Sequence, residues 1–136
     1  MAHTLKLEIV TPEAKIYSDN VDMVTLTGSE GEMGILPDHV PLMTQLCAGE
    51  IIARKGQETI LLAVGDGFVQ VTGERVAVLT DMAVRAENVD EAKAEEARQR
   101  AEARLAEKLN DEEVATVHAA LVYATTQIRI KRQRHK

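Results

Sequence analysis

A chain of 136 residues, 45% of them apolar, can fold as one compact domain with a small appendage, but only Phe68, Tyr17 and Tyr123 are aromatic, so its core must be aliphatic. Its net charge of −6 argues against general nucleic-acid binding, which needs cations to displace counterions from phosphates. No apolar run approaches the ~20 residues that span a bilayer and no charged-then-apolar leader opens the chain, so the expectation is a soluble protein of cytosolic type.

In chain order, the first run is LKLEIV, where Leu5, Leu7 and Ile9 alternate with Lys6 and Glu8, the period of a strand with one wet face. Thr11-Pro12 ends it. Strand-like runs follow at KIYS, VDMVTLT, EIIAR, ETILLAV, FVQVT and RVAVLT, with turn signals at RKGQ, VGDGF and TGER. Short strands at such intervals fit a β-sandwich or a barrel, and no helical pattern separates them as a parallel α/β sheet would require. The lone Cys47 has no partner for an internal disulfide and no CxxC for zinc, so it reads as a small apolar residue.

One stretch interrupts the strands. Gly28 to Leu46, GSEGEMGILPDHVPLMTQL, holds three glycines and two prolines. The glycines permit φ > 0 and close backbone approach, and Pro37 and Pro41 stiffen the exit. The reading is a long, rigid inter-strand projection without regular structure, carrying Glu30, Glu32, Met33 and Ile35 to a protein partner.

From about residue 88 the texture changes. NVDEAKAEEARQRAEARLAEKL is rich in helix formers and lacks Gly and Pro, with Asn88 and Glu91 spaced as a capping box. Asn110 and Glu113 repeat that signature ahead of a second helix. Two helices of roughly 20 residues, each about 30 Å long, joined near Leu109 and Asn110, predict an antiparallel hairpin. Val114, Val117, Leu121, Ala124 and Ile128 form its seam on one side, facing Ala94, Ala97, Ala101 and Leu105. A seam so rich in alanine buries little apolar surface at ~25 cal/mol per Å², so the hairpin closes weakly and can be exchanged for another arrangement. Charge divides unevenly: residues 1–84 carry five Lys and Arg against twelve acids, whereas the last eight, RIKRQRHK, hold five cations and no acid. Such an end suits the helix dipole or an acidic partner surface.

Catalytic signatures are missing. No P-loop, nucleophile elbow, zincin or dinucleotide fingerprint occurs, and GDGF reads as a tight turn. Asp38 and His39 are adjacent on an extended segment and so point apart, which disfavours an acid–base pair. His3, His118 and His135 are scattered, with His118 expected half-buried beside the seam, and no three-ligand metal site can be drawn from them. The residues therefore predict a non-catalytic binding or regulatory protein, with a nucleotide-sensing domain and a β-sandwich adaptor as rival forms.

The motifs EGEMGILPDHVPL at Glu30–Leu42, VTPE at Val10–Glu13, VGDGFVQV at Val64–Val71, VAVLTD at Val76–Asp81, AENVDEAKA at Ala86–Ala94 and TTQIRI near the end occur in one order and spacing. As a set they closely resemble the ε-subunit family of bacterial and chloroplast rotary F-type ATP synthases, from about Leu5 to Ile130. The resemblance implies an α+β chain by segments: a β-sandwich over residues 1–87, contacting the γ subunit and the c-ring loops, then a regulatory helical hairpin over 88–136. It implies a γ and c-ring contact at Glu30, Gly31, Glu32, Met33, Gly34 and His39, with Glu32 the best polar contact to the c-ring. It further implies that the hairpin can extend alongside γ toward the β and α subunits and block ATP hydrolysis, docking through Arg100, Arg104, Arg129, Lys131, Arg132 and Arg134. Membrane association would be indirect, at the cytoplasmic face of the bacterial inner membrane rather than a thylakoid. Some members bind ATP through an [IL]-D-x-x-R-A motif. Here Asp90, Lys93, Ala94 and Arg100 correspond, but Lys stands in place of Arg, and Val84, Tyr123 and Gln127 replace further polar positions. Lysine lacks the planar fork of arginine, so the expectation is no cofactor beyond weak regulatory ATP, at millimolar affinity or about −4 kcal/mol.

Overall fold

The computed structural model describes residues 3–134. Ten strands come first: β1 Leu5–Val10, β2 Lys15–Val21, β3 Met23–Gly28, β4 Gly31–Ile35, β5 Leu42–Leu46, β6 Gly49–Lys55, β7 Glu58–Val64, β8 Gly67–Thr72, β9 Arg75–Thr80 and β10 Ala83–Arg85. A 3₁₀ turn at Ala86–Asn88 leads into α1, Glu91–Leu105, and α2, Asp111–Arg134. The strands join in the order β10-β7-β6-β3-β5-β8-β9-β1-β2, with β4 attached to β3. Pairing is antiparallel except between β1 and β9. This sheet folds on itself into a sandwich whose two ends meet: the Arg85 guanidinium of β10 lies 5.3 Å from the ring centroid of Tyr17 on β2.

The core is aliphatic, as the shortage of aromatics demands. Leu5, Leu7, Ile9, Val24, Leu26, Ile35, Leu62, Val69 and Val78 are all buried in one cluster between the layers. Alternation along each strand puts one side chain in two into that cluster. Gly67 opens β8 where the chains cross closely, and an added Cβ would collide with the Leu79 carbonyl. The residue pattern of β1 misleads at one position. Glu8, read as solvent-facing, is only 6% exposed. Its carboxylate is paired with Arg75 and lies 3.2 Å from Lys15 Nζ, and that double pairing is what lets an acid be covered.

Two further expectations fail. The Gly28–Leu46 stretch is not an unstructured projection: it contains β4, paired with β3 from Val24↔Ile35 to Gly28↔Gly31, and β5, paired with β8. Ile35 is fully buried and Met33 packs partly against the core, so those two side chains support the sandwich while Glu32 and Gly34 face outward. The first helix is also shorter and later than Asn88 suggested. Val89, extended at φ −68° and ψ 129°, is buried against Ala63 and Ile130. Pinned there, the chain becomes helical only afterwards, and Asp90 is the cap, accepting from Lys93 N at 3.1 Å. Asn110 and Glu113 do form their reciprocal box, at 2.8 and 3.2 Å.

Candidate functional site

The tip of the β3–β4 hairpin is Ser29-Glu30, closed by Gly31 at φ 117°. Glycine is required there, since a Cβ disfavours that region. The tip lies against β5: Ser29 N donates to the Gln45 carbonyl at 3.2 Å, and the Ser29 and Thr44 hydroxyls stand 3.5 Å apart. Gly28 tolerates this approach because an added Cβ would meet Gln45 O at 3.3 Å. Glu30, Gly31, Glu32 and Gly34 are exposed, and Glu32 sits opposite Thr27 on the outward side of the hairpin. An added Cβ at Gly34 would come within 2.8 Å of Met23 Cε, which marks where that methionine covers the strand.

His39 belongs to a different place. It precedes β5, next to the β8–β9 turn, where Asp38 N donates to Gly73 O at 2.8 Å. Asp38 holds φ 66°, a left-handed conformation that a short acidic side chain tolerates. Its carboxylate lies 3.6 Å from His3 Nδ1, and His39 Nδ1 lies 2.8 Å from the Val40 carbonyl. The two adjacent side chains thus have separate partners and do not form an acid–base pair. Among the described residues, no group of three His, Cys, Asp or Glu side chains is placed to hold a metal ion.

Bordering both the tip and His39 is a surface that the residue pattern did not single out. Outward side chains of β5, β8 and β9 include Met43, Phe68 and Leu79, exposed by 69%, 56% and 57%. The register places Gln45, Phe68 and Leu79 in one row across three strands, with Met43, Gln70 and Ala77 in the next. Leu36 and Val40, 55% and 71% exposed, continue the apolar character toward His39. Phe68 is the chain's sole phenylalanine. An aromatic with two large aliphatic neighbours on an open sheet face has the composition of a docking surface. The signal available in the sequence was Phe68 at an even, outward position of a strand whose odd positions, Val69 and Val71, fill the core.

The helical part forms a hairpin laid on the sandwich. α1 meets α2 through Ala94 and Ala101 on one side and Ala124 and Ile128 on the other, all buried, as the seam predicted. Val114, at its far end, is 42% exposed, and His118 is exposed rather than half-buried. α2 docks on the sandwich through its later turns, at Tyr123 and Ile130, while its first turns, residues 111–118, are exposed apart from the partly covered Val117. A second face of α2 holds the hairpin down. Ile130 is fully buried with Ala63, Ala86 and Val89, and Tyr123 packs against that cluster beside Leu61 and Val84. Burial, then the charge of Asp81, pushes the Tyr123 phenol up to about 12.

The cations of the helices are mostly engaged. Arg129 Nη2 donates to Glu50 Oε2 at 3.3 Å, Lys131 Nζ to the Glu87 carbonyl at 3.3 Å, and Arg132 Nε to Glu91 Oε1 at 2.7 Å. Arg104 spans the turn between the helices, 2.6 Å from Glu107 Oε2 and 3.5 Å from Glu113 Oε2. Arg98 is paired with Glu95 and Glu102, and it holds the Glu95 carboxyl below the ordinary range. Lys93 and Arg100 are exposed, whereas Ala94 is buried in the seam. The side chain of Arg134 and all of His135 lie outside the described residues.

These two features, an apolar outer sheet face and a helical hairpin clasped to the sandwich, can be set beside known proteins. The beta-sandwich domain of the ATP synthase Delta/Epsilon chain matches residues 4–86, and the long alpha-helix domain of the same chain matches residues 87–132. The chain belongs to the ATP synthase Delta/Epsilon family. It is 47% identical to the ATP synthase epsilon chain of Dehalococcoides mccartyi over 133 residues, covering 97% of this chain and 95% of that one. It is 41% identical to the epsilon chain of Desulforamulus reducens, over 95% and 98% of the two chains. In fold it resembles a chain of the Euglena gracilis mitochondrial ATP synthase, with TM-score 0.73 and 24% identity over 90% of this chain and 78% of that chain. A central-stalk or c-ring chain of the Tetrahymena thermophila mitochondrial enzyme aligns with TM-score 0.53 and 14% identity, over 97% and 96%.

Proposed function

We propose that the chain is a non-catalytic central-stalk subunit of a proton-translocating F-type ATP synthase, in which the sandwich couples γ to the c-ring and the hairpin restrains ATP hydrolysis. The observation that carries the coupling role is the exposed apolar patch of Met43, Phe68 and Leu79, spread over two adjacent rows beside the β3–β4 tip. In this reading γ covers that patch and the neighbouring Leu36, Val40 and His39, whereas Glu30 and Glu32, with Gly31 giving the turn its shape, meet polar groups of the c-subunit loops. Met33 acts from behind, by packing the hairpin on the core. The regulatory role rests on the cationic end of α2, which would meet an acidic surface of the β and α subunits when the hairpin extends, with Arg100 and Arg104 assisting. No helix among the described residues is long and apolar enough to cross a membrane. Its relatives being epsilon chains of bacterial ATP synthases, the subunit would sit at the cytoplasmic face of a bacterial inner membrane through its complex. ATP on the hairpin would be weakly held, since Asp90 is committed to capping α1 and Lys93 replaces an arginine fork.

The test is binding of the full chain to purified γ subunit. Phe68→Asp introduces a charge at the centre of the patch and should weaken binding by at least 30-fold, the roughly 2 kcal/mol of an interface hot spot. Glu32→Ala should leave γ binding intact and reduce proton-driven synthesis in the assembled enzyme. Unchanged affinity of the Phe68→Asp chain would remove this face from the interface. Replacing the whole Glu30–Ile35 segment is not a clean alternative, because Ile35 is part of the core.

A further inference from the structure

Four consecutive residues of α2 make four different contacts in the closed arrangement. Arg129 reaches Glu50 on β6, Ile130 fills the cluster on the sandwich, Lys131 donates to the carbonyl of Glu87 before α1, and Arg132 reaches Glu91 in the first turn of α1. The two acidic acceptors therefore stand on two bodies. Glu50 belongs to the sandwich, and its side chain is only 17% exposed; Glu91 belongs to the partner helix and is 42% exposed. Two of the cations that would meet an acidic partner, Arg129 and Arg132, are thus already occupied by acids of their own chain.

We infer that Glu50 and Glu91 are internal stand-ins for the acidic partner surface and that each governs a separate step of hairpin release. Glu50–Arg129 resists lifting of α2 from the sandwich. Glu91–Arg132 resists splaying of α2 from α1 and can survive lifting if the hairpin moves as a unit. An acidic partner competes with each carboxylate for the same guanidinium, so docking and release are one exchange of ion pairs. Arginine suits such an exchange, since its charge persists at any physiological pH and its fork pairs equally well with either carboxylate. Partly exposed pairs of this kind are individually weak. Each should set its own closed-to-open ratio by about two- to fivefold, which permits a switch where a strong lock would not. The inference rests on the proposed docking role of these cations only for its consequence in the enzyme; the two-step release concerns the chain itself.

The experiment measures two distances by spin-label pairs in full-length chain with Cys47→Ser: Thr59→Cys with Thr125→Cys for lifting, and Gln99→Cys with Thr125→Cys for splaying. All three label positions are exposed. Glu50→Gln should raise the long-distance fraction of the first pair two- to fivefold and leave the second unchanged. Glu91→Gln should do the reverse. The reciprocal exchange Glu50→Arg with Arg129→Glu should restore the wild-type distribution, which a packing effect of residue 50 would not. A short polyglutamate peptide, as the acidic probe, should shift both distances in the wild type and bind more tightly to each glutamine variant. If either substitution moves both distances together, or neither moves any, the two-step latch is overturned. Hydrolysis by the assembled enzyme is read separately. If the distances shift as stated while hydrolysis is no more inhibited by Glu50→Gln, the latch stands and the docking role of the cations falls.

Discussion

Tyr123 reaches its place only by giving up water. Its ring packs with Val84 and Ile130 on the sandwich, and burial, then Asp81, raises the phenol pKa to about 12. A released hairpin would return the phenol to its ordinary value near 10. The group whose pKa is raised in the closed form holds its proton longer there. Its contribution is therefore complete below pH 10 and is lost as pH rises toward 12. Closed hairpin should give way over that window in the wild type, and Tyr123→Phe should remove much of the dependence. The check is the Thr59–Thr125 label distance followed from pH 9 to pH 12 in both proteins. Identical profiles would mean that the phenol stays wet in the closed form. None of this was legible in the sequence, where Tyr123 stood out only as one of three aromatics and as a departure from a polar position of the family's ATP motif; its neighbours come from β7 and β10, about 60 and 40 residues away along the chain.

Among the elements, α2 carries two apolar faces, and the spacing exposed one. Ala124 and Ile128 follow the 3,4 rhythm of the seam toward α1, whereas Tyr123 and Ile130 lie on the adjacent side and dock the sandwich. Ile130→Ala deletes a fully buried side chain at the centre of that contact, a change that typically costs about 2–5 kcal/mol. Because the sandwich keeps its own core, the loss should appear as hairpin release and faster tryptic cleavage after Arg129 and Lys131, with little change in sandwich unfolding. Loss of sandwich stability by the same amount would show instead that the two parts fold as one. Local signals were the most legible. The Asn110–Glu113 box needs only four residues and was right, whereas the start of α1 was settled by burial of Val89, a tertiary contact that no local spacing contains. β4 and β5 were hidden for a related reason. Gly31, Gly34, Pro37 and Pro41 advertise turns, and only the pairing with β3 and β8 turns GEMGI and LMTQL into strands.

At the scale of the whole molecule the two parts share a small interface. The buried sandwich cluster, from Leu5 to Val78, draws on β-strand residues alone. The hairpin adds Ile130 and Tyr123 to a separate group with Ala63, Ala86, Val89, Leu61 and Val84. A chain ending at residue 87 would therefore keep its main core and uncover only a few aliphatic side chains, well within what a soluble domain tolerates. It would also keep the Met43, Phe68 and Leu79 patch, which lies on β5, β8 and β9 rather than on the strands the hairpin covers. Truncation at residue 87 should thus unfold cooperatively, bind γ with an affinity near that of the full chain, and give an assembled enzyme whose ATP hydrolysis is no longer restrained. Calorimetry, the γ-binding assay and hydrolysis rates report these separately. Retained binding with unrestrained hydrolysis divides coupling and restraint between sandwich and hairpin as proposed. Lost binding would place part of the γ contact on the helices, and unchanged hydrolysis would leave the cationic end of α2 without a regulatory role.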